Sequence, residues 1–253
     1  MKIAITREVS PAIERCELTY VSRAPIDAAL AAAQHASYER ALEAAGYTLR
    51  RLPPAPGLPD AVFVEDTALV LDEIAVITRP GAASRRAETD STAMLLAEYR
   101  PLLNLSAGTL DGGDVLRLDR TLYVGLSARS SRAGIEALAQ GLRPYGYRVE
   151  AVPFSGCLHL KSAVTQVGPE TLLLNPDWVE PRHFPAMNTI EVDPAEPHAA
   201  NALWLGGMTI YPESWPLTGA RIERAGGRLV RVDMSETEKA EGGVTCCSLL
   251  LDA

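Results

Sequence analysis

The sequence predicts an α/β fold of five radially arranged units, and three observations lead to it. First, a short pattern in which a polar or thiol residue opens an apolar run occurs at Glu65–Leu71, Gly113–Leu118, Leu160–Val167, Ala200–Leu205 and Thr245–Leu251. With Asp66, Asp114, Lys161, Asn201 and Cys246 taken as equivalent, the steps are 48, 47, 40 and 45 residues, a period that marks propellers and arrays. Second, each copy reads as a strand buried along its length and open at its polar end, so five polar ends can meet around one axis. Third, counting the last copy as split between the two termini closes the ring.

The elements follow in order. A helix from Pro25 to Ala45 has Pro and Asp in its opening turn and stops at Gly46, after which Gly46–Leu52 gives a half-buried strand. The first four copies are each followed by a tight turn and a second strand, at Ile74–Thr78, Thr121–Gly125, Thr171–Asn175 and Met208–Pro212, so hairpins result. Helical stretches occupy Arg85–Tyr99, Arg132–Leu142 and Leu217–Ala225, whereas the interval from Pro176 to Met187 supports a helix poorly. Third strands begin after Gly146 and Gly226. The repeating unit is therefore two strands, a helix and a strand.

Composition bounds the function. An apolar content of 47% over 253 residues is enough for a substantial core, and no linker or low-complexity tract divides the chain. Residues 1–253 therefore read as one domain. Met1–Arg7 lacks a signal-peptide apolar stretch and no apolar run approaches a membrane span, which predicts a soluble, cytoplasmic protein with no membrane partner. The net charge of −8, without any Lys/Arg block, argues against nucleic acid and is compatible with a cationic small substrate. Cys16, Cys157, Cys246 and Cys247 show no CxxC spacing and no disulfide framework, so reduced thiols are expected. The oligomeric state is left open, a homodimer being one option.

Chemistry gathers where the repeats point. Cys246 opens the last strand, His159 precedes the third, Asp111 and Asp114 flank the second, and Glu65 with Asp66 opens the first. A thiol with a separated imidazole and an acid is the equipment of nucleophilic catalysis. An inert buried Cys and a hydrogen-bonded core His are the alternative readings of the same residues. Buried acids are costly unless they are paired or meet a cation, so an acid-rich centre predicts a cationic ligand. Arg residues in Thr78–Arg86 and Gly125–Arg129, just beyond two second strands, read either as surface charge or as a bidentate clamp for a carboxylate.

Seven segments, in order along nearly the whole chain, resemble the motifs of the dimethylarginine dimethylaminohydrolase family within the guanidine-modifying pentein superfamily: Asp60–Asp66, Thr78–Arg86, Thr109–Val115, Val124–Arg129, Leu158–Ser162, Ala199–Asn201 and Gly242–Ser248. The resemblance implies a five-bladed α/β propeller of ββαβ repeats around a central site. It also implies hydrolysis of Nω-methylated and Nω,Nω-dimethylated arginine to citrulline and the free amine, with no cofactor and no metal. On the matching positions it makes Cys246 the nucleophile, His159 the general acid and base, and Asp111 the acid that orients the imidazole. Asp66 would hold the guanidinium, with Asp60 and Glu65 around it, and Arg85 and Arg129 would take the substrate carboxylate. Leu18 resembles a loop residue that closes over the substrate, and Ala240, with Glu241, falls near the α-amino contact. Arginine deiminase or another guanidine hydrolase, and a non-catalytic binding propeller, are the alternatives. Acids beside Cys246 should raise its pKa, and since successive strand residues point to opposite faces only one of Cys246 and Cys247 can face the axis, with Cys247 packed behind.

Overall fold

The computed structural model describes Met1–Ala253. In chain order the elements are β1 (Lys2–Thr6), α1 (Ala28–Ala44), β2 (Thr48–Arg51), β3 (Ala68–Val70), β4 (Ala75–Ile77), α2 (Glu88–Leu96), β5 (Leu102–Asn104), β6 (Val115–Leu118), β7 (Thr121–Leu126), α3 (Arg132–Leu142) and β8 (Arg148–Pro153). They continue with a one-turn α4 (Leu160–Ala163), β9 (Val164–Gly168), β10 (Thr171–Leu174), β11 (Asn188–Glu191), β12 (Leu203–Trp204), β13 (Thr209–Pro212), α5 (Pro216–Arg224), β14 (Leu229–Val232), a one-turn α6 (Ser235–Glu238) and β15 (Leu249–Asp252).

These strands form five three-stranded sheets of one design, with strand orders β3-β4-β5, β6-β7-β8, β9-β10-β11, β12-β13-β14 and β15-β1-β2. In each, the middle strand pairs antiparallel with the first and parallel with the third. The middle strand is the most buried, as in β4, β13 and the apolar part of β1, because it is covered on both faces. The fifth sheet joins the two ends of the chain, with Ile3 opposite Leu251. Helices lie between the second and third strands and have the terminators their sequences require. Asp27 caps α1 by accepting from the amides of Ala29 and Leu30, and Ser131 caps α3 by accepting from Gly134. Gly46 and Gly226 follow α1 and α5 with φ of 89° and 90°, where an L side chain would be strained.

Four differences from the sequence reading have physical causes. The interval after β10 holds only a 3-10 turn, Pro181–His183, because Pro176, Pro181 and Pro185 leave no run long enough for a helix, yet β11 forms beyond it. Likewise β5 forms after Pro101, and the stretch from Arg85 is a 3-10 turn (Ala83–Arg85) followed by the shorter α2. Helix α1 begins at Ala28, three residues inside the predicted start, since Asp27 is its cap rather than its first turn. Finally, the polar residues do not open the strands. They sit on tight turns just before them: Asp66 on Val64–Thr67, Asp114 on Gly112–Asp114, Lys161 on α4, and Cys246 on a turn preceding β15.

Those turns join the blades. Asp66 Oδ1 accepts from Gly113 N at 2.8 Å, Asp114 Oδ1 from Leu160 N at 2.9 Å, and Lys161 O from Asn201 Nδ2 at 3.0 Å. Asn201 Oδ1 accepts from Thr245 N at 3.1 Å, and Cys246 O from Glu65 N at 3.1 Å. Each repeat-equivalent position thus bonds to the next blade, and the fifth returns to the first. The closed circle satisfies backbone groups that the strand ends would otherwise leave buried and unpaired.

Candidate active site

Inside this circle the turns place a thiol, an imidazole, acids and arginines around a narrow cavity. Asp60, Asp66, Arg85, Arg129, His159 and Cys246 line it together with Ala240. Three of the remaining expected residues stand outside its wall: Asp111 lies behind His159, Glu65 beneath Cys246, and Leu18 packs, half-buried, against the apolar cluster around α1.

His159 is buried between two carboxylates. Its Nε2 donates to Asp111 Oδ2 at 3.1 Å, and its Nδ1 lies 3.9 Å from Asp66 Oδ1. Burial alone would lower its pKa, but the Asp66 charge, the Asp111 hydrogen bond and Asp114 outweigh it and raise the pKa to about 9. The group is therefore an imidazolium at neutral pH. Asp111 is itself fixed by Gly81 N, which donates to Oδ1 at 2.8 Å, and Asp114 is fixed by Ser127 Oγ at 2.6 Å. A Cβ at Gly113 would stand 2.6 Å from His159 Nδ1, so only glycine leaves the ring this place.

Cys246 is partly exposed to the cavity, and its Sγ accepts from Gly243 N at 3.3 Å. Burial, then the charges of Glu65 and Asp66, push its thiol up to about 12 against the opposing Gly243 amide and Lys161. Cys247, on the same turn, is fully buried and directed to Gly243 O. Only one of the pair faces the cavity, though the reason is a turn rather than strand alternation.

Two of the expected residues already have buried partners. Arg85 is no free arm at the mouth of the site: its Nη1 donates to Asp66 Oδ2 at 2.6 Å, and Nη2 donates to Glu88 Oε2 at 2.9 Å and to Phe63 O at 3.0 Å. The same pairing occupies one oxygen of Asp66, and with the His159 charge it holds that carboxyl well below the usual range despite burial. Glu65 does not line the cavity. Its carboxylate takes Lys161 Nζ at 2.5 Å and Thr245 Oγ1 at 2.8 Å, a buttress under the nucleophile's turn. Arg129, by contrast, has only a 3.6 Å approach to Asp111 and lines the cavity with its charge least engaged. Asp60 accepts from Glu17 N, which brings residues 17–21 across one side.

Glu88 and Lys161 were not singled out as site residues. Lys161 did carry a signal, being the one base at a repeat-equivalent position where other copies have an acid, amide or thiol. Glu88 carried none, since a Glu in a first helical turn is ordinary. Asp66, Asp111 and His159 bring their ligand atoms within 4.8 Å of one another, a spacing a metal could use. The positive charge that this trio requires is already supplied by the imidazolium and by Arg85 and Arg129.

Known proteins fit this arrangement. The N(G),N(G)-dimethylarginine dimethylaminohydrolase of Streptomyces coelicolor is 40% identical, over 99% of this chain and 97% of its own. The chain belongs to the dimethylarginine dimethylaminohydrolase family. A broader family model described as arginine deiminase matches residues 50–201. The Pseudomonas aeruginosa member of the dimethylarginine dimethylaminohydrolase family, a cysteine-to-serine variant complexed with citrulline, superposes with a TM-score of 0.93 at 33% identity and 98% coverage of both chains. A dimethylarginine dimethylaminohydrolase in which histidine is replaced by glycine, an adduct with S-methyl-L-thiocitrulline, gives a TM-score of 0.94 at 33% identity, with 99% of this chain and 100% of that one covered. The five-bladed pentein propeller is thus the fold of this chain as well as of its relatives, and no helix in it is long and apolar enough to cross a membrane.

Proposed function

We propose that this protein hydrolyses Nω,Nω-dimethyl-L-arginine and Nω-methyl-L-arginine to L-citrulline and dimethylamine or methylamine, through a thiouronium on Cys246. The observation that carries this reading is a neutral thiol and an imidazolium on the wall of one acid-lined cavity, in a family of which the Pseudomonas aeruginosa member is seen complexed with citrulline. Residues 1–253 act as one catalytic domain, a reading supported by the sheet that the two termini share. Four unpaired cysteines fit a reducing compartment such as the cytoplasm.

The chemistry follows from the charges. A substrate guanidinium entering the cavity meets Asp60 and the remaining face of Asp66, while Arg129 takes the carboxylate. Its positive charge beside Cys246 favours the thiolate, and the thiol proton leaves to solvent. Sulfur then bonds to the central guanidinium carbon. The tetrahedral adduct is neutral, and His159 donates its Nδ1 proton to the alkylated nitrogen as the carbon–nitrogen bond breaks, leaving a cationic thiouronium that Asp66 stabilises. Neutral amine departs. Water attacks the thiouronium carbon while His159 takes one of its protons, and collapse of the second adduct breaks the carbon–sulfur bond as the remaining hydroxyl proton passes to the departing sulfur, giving citrulline and the neutral thiol. One water is consumed, and the imidazolium is restored.

Incubation with arginine, monomethylarginine and asymmetric dimethylarginine, with the released amine identified, tests this reading. Dimethylamine and citrulline are expected. Ammonia from arginine as the main product would favour the second reading, arginine deiminase, which the match over residues 50–201 keeps in view. No turnover of any guanidine by the folded protein would overturn both.

A further inference from the structure

Between Glu17 and Ile26 no backbone group bonds to another backbone group. This ten-residue stretch is held over the site by side chains alone. Glu17 N donates to Asp60, Ser84 Oγ donates to Glu17 Oε1 at 2.6 Å, and the Arg23 guanidinium donates to Cys16 O at 2.7 Å. The three amides in the middle all go to one residue: Thr19, Tyr20 and Val21 N donate to the Glu241 carboxylate at 2.8, 2.5 and 3.0 Å. Bonds to an ionised acceptor are the stronger kind, and nothing else fixes the backbone of these three residues.

Glu241 is also placed to report on the chemistry. It is one of two non-glycine residues with positive φ, at 59°, a conformation that persists only where the surroundings over-determine it. It stands between Ala240 and Gly242, both in the wall of the catalytic cavity, and two residues before the amide that bonds the Cys246 sulfur. Glu241 and Gly242 separate that cavity from a larger hollow of about 230 Å³, which Tyr20 and Val21 roof. Glu17 roofs the smaller one. A single carboxylate therefore ties the roof of both spaces to the segment that carries the nucleophile.

We propose that Glu241 is a positioning residue that latches segment 17–23 over the cavity and so sets how long substrate stays bound. The kinetic part rests on the hydrolase reading; the latch does not. Hydrogen exchange followed by mass spectrometry on the full chain and on Glu241→Ala, Glu241→Gly and Glu241→Gln tests it. Amides of residues 19–21 should exchange at least tenfold faster in the Ala variant, with the five sheets unchanged. The Gly variant, which relieves the positive φ, should open equally, and Gln, keeping one amide oxygen, should fall between. In steady state the KM for dimethylarginine should rise by more than kcat changes. Unchanged exchange at residues 19–21 in the Ala variant would overturn the latch, as would faster exchange throughout the chain. An opened segment with unaltered KM would overturn its role in retention. Should the parent protein turn over no methylarginine, the exchange result still decides the latch by itself.

Discussion

Replacing Asp111 by Asn isolates one contribution to the His159 charge, second to that of Asp66. The imidazole pKa is raised from an ordinary 6.5 to about 9, which corresponds to roughly 3 kcal/mol at about 1.36 kcal/mol per pH unit. Asn keeps an oxygen 3.1 Å from Nε2 but removes one of the three carboxylate charges around the ring. An opposite charge in contact is worth roughly 1–3 pH units, and Asp66 and Asp114 remain, so a fall of about 1–2 units is expected. At pH 8 the imidazolium share should drop from about nine-tenths to between about one-tenth and one-half. With four His residues in the chain, a nitrogen-15 NMR titration resolves the ring directly. The fold should respond with the same sign. A raised pKa gives stability that is fully present below about 6.5 and is lost as pH rises through about 9, so the variant should lose more stability at pH 6 than at pH 10. A His159 titration that stays at about 9 in Asp111→Asn would refute this account and leave Asp66 as the controlling charge.

The remaining expectations use the same geometry. Cys246→Ser should abolish turnover while Cys247→Ser, buried behind it, retains most of it; a fully active Cys246 variant would remove the covalent route. Arg85→Ala should destabilise the fold by about 3–5 kcal/mol in denaturant titration, because Asp66 and Glu88 would be left buried without their cation. Arg129→Ala should instead leave stability nearly unchanged and weaken binding of carboxylate-bearing substrates by roughly 2–5 kcal/mol, with agmatine derivatives, poor in the parent, little affected. Equal destabilisation by both substitutions would contradict the assignment. Alkylation of Cys246 by a neutral reagent should be slow at neutral pH and rise only toward about 12, and a small amidinium compound should move that profile to lower pH. An acidic thiolate titration unmoved by the cation would point to a preformed ion pair with His159.

The fold was legible because two periodicities coincide in this sequence. Apolar runs such as Thr171–Leu174 and Thr209–Pro212 are short, continuous and bounded by turn residues, as buried middle strands require, and they recur at a spacing that leaves room for one helix. Strands β5 and β11 escaped this reading. Leu102–Asn104 and Asn188–Glu191 are three and four residues long, the first half-buried and the second largely exposed, edge strands whose pairing is dictated by the middle strand beside them rather than by their own pattern.

The site was legible for a different reason than the repeat suggested. The repeated polar residues looked like a collection of chemical groups aimed at an axis, yet Asp66, Asp114, Lys161, Asn201 and Cys246 first of all bond one blade to the next. Only at Asp66 and Cys246 does the same residue also face the cavity. Its other acting groups, His159, Arg129 and Asp60, sit one or more residues off the repeat: His159 and Arg129 were legible through residue type beside the repeated strands, their roles were given by the resemblance, and Asp60 was given by the resemblance alone. Arg85 shows the limit of carrying a role by position. A guanidinium near an acid reads identically in sequence whether it is a free hand or a locked one, and what locks it, Glu88, lies three residues on in the first turn of α2. Since Asp66 shares that guanidinium with Glu88 and His159 with Asp111, a substrate cation arriving at Asp66 competes with two resident cations for one carboxylate.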